Sequence, residues 1–468
     1  MPLILPGNVA SAIGGDYDVD NSCRFNKGDT AYMHKTLSAG NRRTWTFSTW
    51  FKRISLGTQV TFGVVQTSTG DDNIMAMQIR ADNKLEVWDY AGGITAAIVT
   101  NRLFRDTGAW YHVCVAADTT SGTANNRLRL YINGTEERGV GGYATDTMPS
   151  QNLDFNINQN TKVLKFGAYD GGSVGSPADF YFAETVFIDG TQYAASDFGE
   201  FDEDSPTIWK PKAVSGLTFG TNGFYLDYED SSNLGNDANG GTDLTEVNLA
   251  ATDQTSDTCT NNFATFNPLI NNWTSISQGN LKVTNTSQAY RDVFSTVALT
   301  SGKWYVECRI DTEIGGTYPI FGIADASEYQ VPAQHNLLGR SALGWGFQTD
   351  GNYYNNNADA GNWSTLDSGD IIGFYLDLDS SQNTLKVYKN GSSELSLNIS
   401  DPVDGYYFGC STYQEDNVSG SINFGNPSFS ISSGNSDANG YGNFEYSPTL
   451  SGVNYYAICT KNLGEFGG

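Results

Sequence analysis

At 468 residues the chain is longer than a single hydrophobic core usually sustains, so two or three domains are expected. Hydrophobic residues make up 39% and aromatics 13%, with 52 Gly, 26 Tyr and 25 Phe, which points to many short strands joined by tight turns and excludes a helical bundle. The 52 acidic residues outnumber the 26 basic ones to give a net charge of −26; that sign repels phosphate backbones and anionic lipid, so neither a nucleic-acid partner nor membrane insertion is expected.

Residues 1–20 read as an N-terminal arm. Met1 to Ala12 lacks a basic n-region and a long apolar run, and no window reaches the ~18 apolar residues of a membrane span, so folding in a cytoplasm is expected. Asp16-Tyr-Asp18-Val-Asp20 begins like a calcium-binding EF-hand loop. Its sixth position is Asn21 rather than Gly and its twelfth is Lys27 rather than Glu, so the motif fails. Cysteines at 23, 114, 259, 308, 410 and 459 show no zinc or disulfide spacing and read as reduced core residues.

Residues 21–212 carry strand-like runs between turn clusters: RFNKGDTAYMHKTL, RTWTFSTWFKR, KLEVWDY, WYHVCVAAD, RLRLYING and FYFAETVFIDGTQ. In NRLRLYINGT, Leu128 and Leu130 alternate with Arg127, Arg129 and Tyr131, which gives a strand with one face on a core. Asn133-Gly134 then supplies the positive φ angles of a two-residue hairpin turn. Taken together these segments resemble the LamG-like, concanavalin A-type jelly roll, a superfamily that includes lectins, glucanases and inert interaction modules.

Residues 213–270 read as an ordered, turn-rich connector with little apolar periodicity. Trp209, Phe219, Phe224, Tyr225, Phe263 and Phe266, within or beside it, imply that it is draped over a neighbour. Its cluster Asp230, Asn233, Asn236, Asp237 and Asn239 offers oxygen ligands for calcium, the one cofactor expected if there is any; ordinary turn chemistry accounts for the same residues.

Residues 271–430 form the second sandwich. TLKVYKNGS repeats the earlier layout, with Leu385 and Val387 alternating with Lys386 and Tyr388 before Asn390-Gly391. From Trp304 to Gly425 the order GKWYVECRI, GWGFQTDG, GDIIGFYLDLD, TLKVYKNG and INFGNPSF resembles a SPRY domain. The resemblance implies an antiparallel sandwich that binds partners through loops and performs no covalent chemistry. Within the loop GNYYNNNADAGNW, Tyr353 and Tyr354 offer flat amphipathic faces and Asn355 to Asn357 offer paired donors and acceptors, closed by Trp363. The loop EYQVPAQHN, with Tyr329 and His335, is expected beside it as a second part of a ligand-binding surface. Residues 431–468 are a C-terminal tail whose YYAICTKNL could dock as an extra strand. The fold class is therefore all-β: two antiparallel β-sandwich or jelly-roll domains joined by a connector.

Catalysis finds little support. The three histidines, His34, His112 and His335, lie in no nucleophile or metal motif, and His112 within its strand reads as structural. The Glu-x-Asp-x-Glu strand of laminarinase-type enzymes is missing. Its nearest approaches, Glu200-Phe-Asp202-Glu203-Asp204 and Asp377-Leu-Asp379, read as solvated strand ends. No catalytic residue and no enzyme activity is expected.

The combination of both domains with SCRFNKGDTAYMHKTLSAGNRRTWTFSTWFKR, WKPKAVSGLTFGTNGFYLDYEDSSNLGNDANGG and TDQTSDTCTNNFATFNP resembles structural proteins of marine tailed bacteriophages. That resemblance implies a virion-surface component assembled in the host cytoplasm: a tail fibre or receptor-binding adhesin that contacts a host-surface glycan or protein. The alternatives are a capsid decoration binding neighbouring virion proteins and, less favoured, a polysaccharide depolymerase. Such proteins are often homo-oligomers, commonly trimers, although no coiled-coil heptads are present here.

Overall fold

The computed structural model describes residues 17–66, 73–170, 174–271, 273, 275–286, 291–312, 319–328, 338–412, 418–448, 450 and 452–467. Apart from short 3-10 turns, the helices among them are Glu137–Val140 and Thr460–Phe466, and the chain is otherwise a set of antiparallel sheets, as its composition requires. It divides into two compact units at Thr260/Asn261.

In the unit formed by Gly14–Thr260, one sheet runs in the order Thr135–Glu136, Leu128–Ile132, Trp110–Asp118, Thr44–Arg53, Phe180–Asp189, Ser22–Phe25 and Gln254–Thr255. The second runs Tyr143–Thr147, Ile94–Thr100, Leu85–Ala91, Asn73–Ile79, Val60–Gln66, Val163–Phe166, Tyr32–Thr36 and Thr245–Val247. Their facing residues, among them Trp45, Phe47, Phe51, Phe62, Phe166, Phe180 and Phe182, form one core. Leu128 and Leu130 point into it, and Asn133 and Gly134 hold φ of 45° and 76°, as the hairpin turn demands. A Cβ on Gly134 would come within 2.1 Å of the Trp209 indole, so glycine is needed there for packing as well as for φ.

Residues 213–260, expected as connector, are wired into this unit. Phe224–Leu226 pairs with Phe180–Asp189, Thr245–Val247 with Tyr32–Thr36, and Gln254–Thr255 with Ser22–Phe25. Strands of two or three residues carry no readable period, which is why the sequence pattern passes over them. The same stretch brings Asp257 to a buried ion pair with Lys52 at 2.7 Å, and the Trp110 Nε1–H donates to Asp257 at 3.1 Å.

The unit that contains Asn261–Gly468 has two seven-stranded sheets. One runs Phe266–Asn271, Arg291–Ser295, Tyr406–Thr412, Pro319–Asp325, Trp345–Gln348, Asn352–Asn355 and Ala358–Asn362. The other runs Ser275–Ser277, Lys282–Asn285, Val418–Asn423, Lys303–Thr312, Ile371–Asp377, Thr384–Lys389 and Ser392–Asn398. Trp304, Val306, Phe321, Phe347, Phe374, Leu385 and Phe408 belong to the core between them.

The tail docks on the outer face of the second sheet through single bridges, not as a full strand. Tyr456 N–H donates to Lys303 O at 2.9 Å, and Tyr456 O accepts from Tyr305 N–H at 3.0 Å. Thr460–Phe466 then turns into a helix whose Phe466 ring stacks on Tyr456 at 3.8 Å. Beneath the tail lies a cluster of Tyr305, Tyr375, Tyr388, Phe444 and Tyr455.

Candidate functional site: a cleft at the hairpin of residues 352–362

The site is built by period-2 alternation across three neighbouring strands. Phe347 and Tyr353 face the sandwich interior, where their rings stack at 5.7 Å, while Gly346 and Tyr354 face outward. Glycine at 346 lets the preceding chain at Leu338 lie flat on the sheet, because a Cβ there would meet Leu338 O at 2.3 Å. Gly339, at φ +86°, passes so close to Tyr354 O that a Cβ would stand 2.5 Å away.

Asn356 and Asn357 occupy left-handed conformations at the hairpin tip, a geometry that asparagine tolerates. Their main-chain N–H groups donate to Ser341 O at 2.8 Å and Gly339 O at 3.0 Å. The result is a cleft of about 240 Å³ lined by Ile320, Leu338, Gly339, Arg340, Gln348, Tyr354 and Asn357. Apolar floor and convergent amide, guanidinium and phenol groups suit a ligand with a flat apolar face and a polar rim. Partial burial, then the charges of Asp350 and Asp359, raise the Tyr354 phenol above its ordinary value, so it serves as a neutral donor and acceptor.

Of the binding residues read from the sequence, Tyr354 lines this cleft. Tyr353 is committed to the core side. The Asn355 side-chain amide donates to Ala342 O at 3.2 Å and Gly344 O at 2.9 Å, closing a loop. Trp363 packs edge-on against Phe347 at 5.9 Å and donates its Nε1–H to Gln348 O at 3.2 Å. Tyr329 and His335 lie outside the described residues. Arg340, Gln348 and Asn357 had no signal of their own beyond the Asn355–Asn357 run.

Of the oxygens expected to serve calcium, Oδ1 of Asp230 and of Asp237 is engaged by turn donors, whereas Asp237 Oδ2 is buried without a hydrogen-bond partner. Asp230 accepts from Ser232 N–H at 2.9 Å and from its hydroxyl at 2.6 Å, and Asp237 accepts from Tyr225 N–H at 3.0 Å and Asn239 N–H at 3.1 Å. Asn233 donates to Asp243 at 2.9 Å, and Asn239 enters through its main-chain N–H. Among the described residues no group of three or more His, Cys, Asp or Glu side chains is arranged to hold a metal.

The acid–base candidates read from the sequence are not brought together among the described residues. His112 Nε2 lies 2.8 Å from Ser48 Oγ, but both are fully buried and packing against Trp50 and Trp209 leaves no room for substrate. Burial pushes the His112 imidazole down to about 3, so it stays neutral. Asp202 and Asp377 close turns, on Asp204 and Ser205 and on Asp379 and Ser380 respectively.

Two carboxylates that the pattern gave no reason to single out are held near neutrality. Glu184 sits at φ +48° on a bulge of Phe180–Asp189, and burial raises it to about 7; Tyr225 and Tyr17 hydroxyls donate to it at 2.8 and 3.0 Å. Glu307 is raised to about 7 by burial against the opposing effect of donors from Tyr446, Glu445, Asn423 and Tyr305. Both are buried, Glu184 with Asp227 and Glu229 near enough to add to its upward shift.

Residues 26–174, within the first unit, match the family model described as the concanavalin A-like lectin/glucanases superfamily. No curated protein matches the chain. Among solved structures, the SPRY domain of human HERC1 is 20% identical, with 34% of this chain and 96% of that one covered and a TM-score of 0.29. The LG4-5 domains of the mouse laminin alpha1 chain are 11% identical, with 84% and 81% covered and a TM-score of 0.29. A Bacteroides ovatus protein described as a candidate carbohydrate binder is 15% identical, with 49% and 58% covered and a TM-score of 0.32.

Proposed function

We propose that this chain is a non-enzymatic adhesin, a tail-fibre or receptor-binding protein on the surface of a tailed phage, that engages a host-surface glycan or protein through the Tyr354 cleft. The observation that carries the binding role is the pinned geometry of that cleft: Gly339 and Gly346 admit the crossing chain, and Asn356 and Asn357 tie the hairpin to it before any ligand arrives. Preorganised loops on a rigid sheet are the usual seat of recognition in sandwiches. Weak contacts of this kind, repeated on a homo-oligomer or around a particle, sum to useful avidity. The virion setting draws its support from the segment order alone.

A second reading, capsid decoration, draws on the Ser392–Asn398 strand. Among the described residues it pairs on one side only, with Thr384–Lys389, and its residues are all exposed or half-buried, so its other edge could accept a strand from a neighbouring subunit. Quantitative mass spectrometry of purified particles distinguishes the two: a few copies per particle support the adhesin, a number comparable to the shell protein supports decoration, and absence refutes both. Tyr354→Ala is expected to lower attachment to host cells with particle assembly intact; unchanged attachment would refute the role of the cleft.

A further inference from the structure

The second unit has another cleft, on its other sheet, where the tail crosses it. It encloses about 440 Å³ and is lined by Arg309, Ile310, Asp311, Gly369, Ile371, Phe429, Ser430, Ser432, Glu445 and Tyr446. Its floor is an ion-pair network. Arg309 lies 2.6 Å from Asp311, which also takes Lys282 at 3.3 Å and the Ser421 hydroxyl at 2.5 Å. The Arg309 guanidinium rests 4.3 Å above the Phe429 ring, which fixes its plane.

The wall opposite is held from three directions. Tyr446 N–H donates to Glu307 at 2.7 Å and Glu445 N–H to the same carboxylate at 2.9 Å. The Tyr446 ring covers Gly391 so closely that a Cβ on Gly391 would stand 2.8 Å from it. The Glu445 carboxylate accepts from Ser432 N–H at 2.6 Å and from the Ser432 hydroxyl.

We infer that this cleft is a second binding site, for a neutral sugar, independent of the Tyr354 cleft. Three features select that class. The charges around the cleft balance, with Arg309 in the lining and Lys282 behind Asp311 set against Asp311 on the floor and Glu445 in the wall, so no counter-charge is required of the ligand. The net charge of −26 disfavours an anionic sugar. An aromatic wall beside hydroxyl, guanidinium and carboxylate groups matches a pyranose ring, with its apolar face and its rim of hydroxyls. The volume falls within the range of small-ligand sites.

Saturation-transfer difference NMR on the full chain tests this with glucose, galactose, mannose and N-acetylglucosamine as probes and N-acetylneuraminic acid as the anionic control. At least one neutral sugar is expected to receive saturation, and the anionic sugar none. Tyr446→Ala should reduce the signal several-fold. So should Ser430→Trp, which fills the cleft from an exposed position and spares the packing beneath the tail. All of these measurements are made in the Tyr354→Ala background, so that a sugar held by the first cleft cannot supply the signal. No transfer to any neutral sugar, or transfer indifferent to both Tyr446→Ala and Ser430→Trp, would overturn the inference.

Discussion

Asp237 and Asp437 close the same Asp-Ala-Asn-Gly turn in the two units. In each, the following alanine N–H donates to a tyrosine carbonyl, Ala238 to Tyr225 at 2.8 Å and Ala438 to Tyr455 at 3.0 Å. The glycine N–H returns to the aspartate carbonyl in both, at 2.7 Å for Gly240 and 3.1 Å for Gly440. They differ in load. Asp437 accepts from Tyr441, Gly442 and Ala457 main-chain N–H groups and from the Asn462 amide, whereas Asp237 Oδ1 accepts from Tyr225 and Asn239 while its Oδ2 lies against Gly241.

The first prediction follows from that difference. Asp437→Ala leaves four buried donors unmet and should cost about 3 kcal/mol or more, while Asp237→Ala should cost roughly half as much. Urea unfolding of the full chain followed by fluorescence gives the comparison; equal losses would deny the tail its role as a clamp.

A second prediction concerns pH. Burial raises both Glu184 and Glu307 from 4.5 to about 7. For a raised carboxyl the stabilising contribution is complete below the unfolded value and is lost as pH climbs through the folded one, so stability should decline between about pH 4.5 and 7. Acidic self-repulsion acts in the same direction, and the variant isolates the site: Glu184→Gln should flatten the decline in Tm measured from pH 5 to 8 relative to the parent chain.

The cleft depends on glycines as much as on tyrosine. Gly346→Ala places a methyl group 2.3 Å from Leu338 O, and Gly339→Ala adds strain at φ +86°. Each should lower stability by about 1–3 kcal/mol and weaken ligand attachment together with Tyr354→Ala. Differential scanning calorimetry alongside the attachment assay checks both effects.

Lys52 and Asp257 offer a test of the wiring of residues 213–260. Their pair is buried on both sides, with side-chain exposures of 1% and 0%. Lys52→Ala strands a buried carboxylate and should destabilise by about 3–5 kcal/mol, whereas Lys52→Met with Asp257→Leu should cost far less. Chemical denaturation of the single and double variants gives the comparison.

For calcium, Asp230 and Asp237 each commit one carboxylate oxygen to turn donors and no cluster of three acidic side chains surrounds them among the described residues, so EDTA and millimolar calcium should give the same Tm. A ligand at a hundred times its Kd would add about 2.7 kcal/mol, a shift too large to miss.

Much of the architecture was legible. The Asn133-Gly134 and Asn390-Gly391 turns take positive φ, and Leu128, Leu130, Leu385 and Val387 are buried, because hairpin and alternation are local properties. The pairings of residues 213–260 and the tail docking were not, since they rest on strands of two or three residues, single bridges and carboxylates that accept main-chain amides. Tyr353 and Tyr354 show the same limit within the site. Adjacent in sequence, they were read as one aromatic surface, yet a period of 2 must send neighbours to opposite faces. Glu184 and Glu307 gave no warning, because a charged residue in a strand ordinarily faces water.

The docking of residues 430–467 over Glu307 has a practical side. The second unit cut at its last strand would bare a carboxylate stripped of two amide partners and a patch of three aromatic rings, Tyr305, Tyr375 and Tyr388, left uncovered by the loss of Phe444 and Tyr455. Such a fragment would be sticky and poorly behaved. Domain grafting, display fusions and recombination between related chains should therefore place their junctions ahead of Asn261 and keep everything after it as one inherited piece.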